Sequence, residues 1–306
     1  MAPDAEAGRG LMRLAGILML AGAAMAADIE VPFDFLHNQV VLGVMVNGSG
    51  PYNFVLDTGT YASTMDLGLA RRLRIPLAST RSESRGAGSG RVFGRTAVVE
   101  RLVVGGLEVG QLPVVAVDLS RVSAQLGRPL HGVLGNNFLA SRITQIDYFR
   151  RRIRFLAETI APPPDSARRI SFPMRFTAGS VLPLLEECSI NGITVPVTLD
   201  TGSSLGLILF PGTIRLLGLE DLARAGIPMD AAGYRGTARL TKGWVRSVAL
   251  KTIDLGAIEV AYVRSGYGVD EAPQQRGGNL GNAVLQDFVL TLDYPNRLVV
   301  LESTVE

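Results

Sequence analysis

The strongest constraint on this chain is an internal repeat. Residues 31–59, VPFDFLHNQVVLGVMVNGSGPYNFVLDTG, parallel residues 172–202, FPMRFTAGSVLPLLEECSINGITVPVTLDTG. Each segment offers an apolar run, an Asn-Gly pair (Asn47-Gly48 and Asn191-Gly192), then a second apolar run that enters Asp-Thr-Gly. Downstream, VGGLEV at 104–109 matches LGAIEV at 255–260, and GVLGNNFL at 132–139 matches GNLGNAVL at 278–285. Finally IDYFRRRIRFL, 146–156, matches LDYPNRLVVL, 292–301. Matching anchors in the same order mean a duplicated unit, so two similar lobes are expected.

The pattern inside each unit is that of strands. An Asn-Gly pair between apolar runs predicts a hairpin, because both residues tolerate positive φ. Short Val/Ile/Leu runs broken by many of the 35 glycines suit a β-rich chain better than a helical one. Only 66–75 and 211–226 carry helical patterning, the second with Pro211 at its start. Three consecutive prolines in APPPDSARR, residues 161–169, stop either kind of element. The expected lobes are therefore 27–162 and 168–306, joined by a Pro-rich linker at 163–167. With 306 residues and 47% hydrophobic content, the chain is long enough for both cores.

The first 26 residues read as a signal peptide. Arg13 precedes LAGILMLAGAAMAA, residues 14–27, an apolar run short for a bilayer span, and Ala24-Met25-Ala26 supplies a small-x-small cleavage site. Export to the periplasm or beyond the cell is expected, with no stable membrane span after cleavage. The single cysteine, Cys188, rules out an internal disulfide and is expected as a small buried apolar residue. Two histidines, His37 and His131, are too few for a histidine-rich metal site. A net charge of +2 without a long basic run argues against nucleic acid as a partner.

The chemistry lies in the duplicated acidic turn. Asp57 and Asp200 each end an apolar strand and enter a turn freed by Gly59 or Gly202. Where two similar lobes meet about a two-fold axis, these turns meet too. Two carboxylates a few ångströms apart share one proton, because ionising both is unfavourable. One then acts as base toward a water while the protonated partner polarises a carbonyl, which hydrolyses an amide without a covalent intermediate. The hydroxyls of Thr60 and Ser203, next in each turn, are expected to donate to the outer oxygen of their aspartates and to favour an acidic working range. Asp147 and Asp293 also recur, but each precedes Tyr in a strand-like segment and reads as a structural position. GAGSG at 86–90 lacks the spacing and the Lys-Ser/Thr ending of a phosphate loop. The arginines at 150, 151, 152 and 154 read as a solvated face.

Asp-Thr-Gly, followed by an apolar-Leu-Gly element and a terminal Asp-Tyr strand, resembles the aspartic proteases of the pepsin and retropepsin type, the short lobes being closest to the retropepsin-like bacterial members. The likeness covers nearly the whole chain after residue 26. It implies an all-β, two-lobed, pseudo-twofold acid-protease barrel with a few short helices, acting as an endopeptidase through an Asp57/Asp200 dyad. It implies further that Thr58 and Thr201 bond across the lobes, that Gly59 and Gly202 allow close approach, and that Val133-Leu134-Gly135 and Asn279-Leu280-Gly281 brace the turns. Asn279 departs from the aliphatic residue usual at its place. Residues 85–94 and 231–240, the latter with Tyr234, stand where flap hairpins would cover a cleft. The implied partner is a peptide or protein substrate, no cofactor or metal is required, and the expected state is a monomer with an internal pseudo-dimer. The alternative is a catalytically silent, protease-like peptide-binding or assembly protein of the cell envelope.

Overall fold

The computed structural model describes residues 27–80, 82–84, 92–176, 182–233, 236–265 and 275–304. Residues 1–26, expected to be a signal peptide, lie outside them. The chain is mostly β-sheet with a few short helices.

Both Asn-Gly pairs turn hairpins. Asn47 and Gly48 have φ of 47° and 81°, and Asn191 and Gly192 have φ of 51° and 84°. These are the conformations that two-residue hairpin loops require. The first turn joins the strands Gln39–Val46 and Ser49–Leu56, the second Leu184–Ile190 and Ile193–Asp200. The asparagine side chains are reused in the same way. Asn47 Oδ1 accepts from Arg101 N at 3.0 Å, and Asn191 Oδ1 accepts from Arg246 N at 2.9 Å.

From each hairpin grows a sheet with the same strand order. In the first half the order runs Gln39–Val46, Ser49–Leu56, Gly132–Leu134, Thr64–Asp66, Leu107–Val117, Val92–Val104, Ser82–Ser84. In the second it runs Leu184–Ile190, Ile193–Asp200, Gly278–Gly281, Leu207–Leu209, Ile253–Ser265, Gly236–Leu250, Ile227–Gly233. Gln39–Val46 also pairs with Val92–Val104, and Leu184–Ile190 with Gly236–Leu250. Each sheet thereby curls back on itself, with Ser82–Ser84 and Ile227–Gly233 paired on one side only. The short strand Asp34–Leu36 extends only the first.

A third sheet is built from both halves. Its order is Ile29–Pro32, Arg152–Leu156, Ile143–Asp147, Phe288–Asp293, Leu298–Ser303, Arg169–Pro173. Ile143–Asp147 and Phe288–Asp293, the repeated Asp-Tyr segments, pair antiparallel with Gln145 opposite Thr291. The repeat thus pairs with its own copy, and one hydrophobic cluster runs from Val31 to Leu301 across both halves.

The helices are short. Asp66 caps Leu67–Arg72, its Oδ1 accepting from Leu69 N at 2.9 Å. The expected helical stretch 211–226 forms two helices, Pro211–Leu216 and Glu220–Ala225. Gly218, at φ 64°, lies between them and cannot continue a right-handed helix there. Pro211 does begin the first. Among the described residues no helix is long and apolar enough to cross a membrane.

Several sequence readings meet their physical counterparts. Cys188 is fully buried, and its thiol is pushed up to about 12 by loss of hydration. Asp147 accepts from Arg150 N at 2.8 Å and Asp293 from Asn296 N at 3.0 Å, so both hold local turns. Arg152 and Arg154 pair with Glu30 and Asp28 on the surface.

Candidate active site

Asp57 and Asp200 stand at equivalent places. The strand Ser49–Leu56 runs parallel to Gly132–Leu134, with Val55 opposite Val133 and Leu56 opposite Leu134. Ile193–Asp200 runs parallel to Gly278–Gly281, with Thr198 opposite Asn279 and Asp200 opposite Gly281. Val133-Leu134-Gly135 and Asn279-Leu280-Gly281 therefore lie directly beside the turns. Asp57 N also donates to Leu134 O at 3.0 Å.

The turns are fastened to each other by their threonines. Thr58 N donates to Thr201 Oγ1 at 3.0 Å, and Thr201 N to Thr58 Oγ1 at 3.0 Å. Each hydroxyl in turn donates to the opposite half of the chain, Thr58 to Leu199 O at 2.8 Å and Thr201 to Leu56 O at 3.0 Å. Both threonines are completely buried, so every one of these groups depends on its partner.

The glycines let the carboxylates meet. A methyl group on Gly59 would collide with the carboxylate of Asp200, and one on Gly202 with that of Asp57. Neither glycine has positive φ, so close approach and not backbone strain demands them. Gly59 N donates to Asp57 Oδ1 at 2.6 Å, and Gly202 N to Asp200 Oδ1 at 3.1 Å.

Although both aspartates are partly accessible, loss of hydration dominates their ionisation. It pushes Asp57 up to about 8, helped by the charge of Asp200 and opposed by the Gly59 N–H. Asp200 is raised by the same burial. Arg276 opposes that rise first, followed by Gly202 N–H, the Asn279 amide and Ser203 N–H. Such a pair titrates as a unit and holds one proton between its two steps. A carboxylate beside a carboxylic acid combines a general base with a general acid.

Residues 42–138 match the family model described as aspartyl protease. The match contains the first acidic turn and its Val133-Leu134-Gly135 brace. Among curated proteins none matches the chain. The second half lies outside the matched span, and its likeness to the matched segment is carried by the repeat, the strand order and the mirrored threonine bonds.

Thr60 and Ser203 do not play the expected part in the hydrogen-bond pattern. Ser203 Oγ accepts from Leu205 N at 3.3 Å. The outer oxygen of Asp200, Oδ2, is met instead by Asn279 Nδ2 at 2.8 Å. Asn279 Oδ1 accepts from Arg276 Nη2 at 2.9 Å, and the Arg276 guanidinium lies over the Phe210 ring at 5.0 Å. Thr60 and Ser203 serve through their carbonyls, which accept from Asn136 N and Asn282 N at 2.9 Å each.

Other residues joining the halves escaped the reading of the sequence. Gln39 Nε2 donates to Gly202 O at 2.8 Å, and Asn38 Nδ2 to Ser204 O at 3.0 Å. Asn282 Nδ2 donates to Asn38 O and Thr201 O, both at 2.7 Å, and its Oδ1 accepts from Tyr148 Oη at 2.7 Å. The mirrored residues Tyr294 and Asn136 also face each other, with the Tyr294 hydroxyl short of full hydrogen-bond geometry. The repeat held a signal for these, since Asn136/Asn282 and Tyr148/Tyr294 are duplicated positions.

Residues 85–91 of the first flap stretch lie outside the described residues. Its arms pair, with Ser84 opposite Val92. In the second stretch Gly233 is opposite Gly236, and Tyr234 lies outside the described residues.

Proposed function

We propose that the chain is an exported aspartic endopeptidase, built as a two-lobed pseudo-twofold barrel over residues 27–162 and 168–306, with Asp57 and Asp200 as its dyad. The observation that carries the reading is the meeting of two Asp-Thr-Gly turns, locked by Thr58 and Thr201, with each glycine against the opposite carboxylate. The aspartyl protease match over the first half supports it.

A peptide lies extended in the cleft, where main-chain hydrogen bonds supply affinity and side-chain pockets supply preference. One carboxylate takes a proton from a water as the water oxygen bonds to the scissile carbonyl carbon. The protonated partner gives its proton to the carbonyl oxygen, forming a neutral tetrahedral diol. On collapse the C–N bond breaks, the nitrogen takes the proton first drawn from water, and a diol hydroxyl proton returns to the partner. The dyad ends as it began, and the nucleophile is water, so the chemistry calls for no cofactor.

The test is incubation with an unfolded protein across pH, beside Asp57→Asn and Asp200→Asn. Cleavage should occur with the parent chain and be lost in both variants with their thermal unfolding retained. A folded variant with near-parental turnover would overturn the dyad. Peptide binding without cleavage by the parent would favour the silent binding protein instead.

A further inference from the structure

The two halves share one scaffold but not one charge pattern. Aligning GVLGNN with GNLGNA sets Val133 against Asn279 and Leu130 against Arg276. The strand pairing agrees, since Val133 is opposite Val55 as Asn279 is opposite Thr198, its repeat counterpart. Val133 and Leu130 are buried apolar residues, whereas Asn279 and Arg276 form a polar chain that ends on Asp200.

We propose that Arg276 and Asn279 are positioning residues that break the symmetry of the pair, holding Asp200 as the carboxylate and leaving the shared proton on Asp57. The hydrogen-bond chemistry carries this. A guanidinium only donates, so it must face Asn279 Oδ1, which turns Nδ2 toward Asp200. Nδ2 only donates, so Asp200 Oδ2 must accept. Asp200 Oδ1 accepts from Gly202 N, and both oxygens of Asp200 are thereby engaged as acceptors. On Asp57, Oδ1 accepts from Gly59 N, and among the described residues no donor meets Oδ2. The proton's place is there.

The charged groups facing the pair agree with this order. Asp57 and Asp200 face each other, and Arg276 is the cation that reaches Asp200. The Tyr294 phenol faces Asp57, and burial keeps it protonated. Tyr148 is held to Asn282 and likewise stays protonated. Asn38 and Gln39, which reach the second turn, are neutral. Among these groups the cation is set against Asp200 and not against Asp57. On the proteolytic reading, on which this consequence rests, Asp200 takes the proton from water and Asp57 protonates the carbonyl oxygen. Arg276 and Asn279, in place of the hydroxyls of Thr60 and Ser203, then hold down the acidic end of the single-proton form, while the burial of Asp57 carries its other end toward neutral pH.

The test is an NMR titration of the full chain, with aspartate Cγ labelled by ¹³C and the pair assigned through the Asn variants. In the parent chain Asp200 should ionise first as pH rises. Arg276→Leu should move that step up by on the order of one pH unit, the usual effect of losing a nearby opposite charge. Asn279→Val should move it less, and Arg276→Lys should restore most of the shift. The acidic limb of kcat/KM should follow. Asp57 ionising first, or an unmoved step in folded Arg276→Leu, would overturn the inference. The parental order decides the matter even if a variant fails to fold. Absence of peptide cleavage alongside the expected titration would sink the proteolytic reading and leave this inference standing.

Discussion

Thr58 and Thr201 each satisfy the other's backbone N–H, and each returns a hydroxyl proton to the strand that precedes its partner. Four buried bonds thus tie two turns that are far apart in the chain, at the point where the two carboxylates meet. No solvent reaches either threonine, so a missing member leaves the rest without substitutes.

Replacing Thr58 by Val keeps the shape and removes the hydroxyl. The N–H of Thr201 and the carbonyl of Leu199 then lose their partner in a dry site. Orphaning buried groups costs about 1–3 kcal/mol each, so destabilisation by at least about 2 kcal/mol is expected in urea unfolding. Thr201→Val should behave alike. The double variant should cost less than the sum, because both changes break one network. Additive losses would mean the bonds act independently.

Gly59→Ala and Gly202→Ala should each retain the fold and lose activity. The added methyl group displaces the opposite carboxylate, since neither backbone requires glycine for its φ. Misplacing a reacting group by about 1 Å costs roughly 10²-fold. Turnover of a peptide should fall by at least that much with secondary structure unchanged. Parental turnover in either variant would show that the carboxylates need not be so close.

The raised ionisation of Asp57 makes the stability of the fold depend on pH. Its ordinary value is 3.8, and the fold pushes it up to about 8. Between these values the folded chain binds the proton that the unfolded chain has released, so stability falls as pH rises through that window. Below it the proton is bound in both states, and above it in neither. Asp57→Asn removes the penalty. Its Tm should exceed the parental Tm at pH 7 to 8, and the gap should close near pH 4. An equal gap at both ends would indicate a cause other than ionisation.

Separated halves, 27–162 and 168–306, should be inactive as monomers. Each holds one aspartate and one threonine of the lock. Cutting between them also unpairs Ile143–Asp147 from Phe288–Asp293, leaving a strand edge bare on each half. Self-association is the expected outcome, read by sedimentation beside a cleavage assay. Activity from a monomeric half would refute the shared site.

What the sequence determined by itself was local or repeated. The Asn-Gly hairpins follow from backbone tolerance at Asn47-Gly48 and Asn191-Gly192, and short apolar runs broken by Gly announce strands wherever they sit. The repeat marked Asp57 and Asp200 as equivalent, because Asp-Thr-Gly occurs twice in the chain, each time at the end of the second apolar run of a unit. Even the stop at Gly218, passed over in a helical pattern, was a local signal. The tertiary structure alone decided whatever depends on how distant strands are set beside each other. Pairing of Ile143–Asp147 with Phe288–Asp293 is one such matter, since a strand's pattern shows its buried face and not its partner. The donors to Asp200 are another. A hydroxyl next in sequence looked like the natural donor, but Ser203 Oγ turns to Leu205 N, and the parallel strand Gly278–Gly281 delivers Asn279 to the same oxygen. Hydrogen bonds are settled by direction within about 3 Å, a scale on which nearness along the chain carries no orientation.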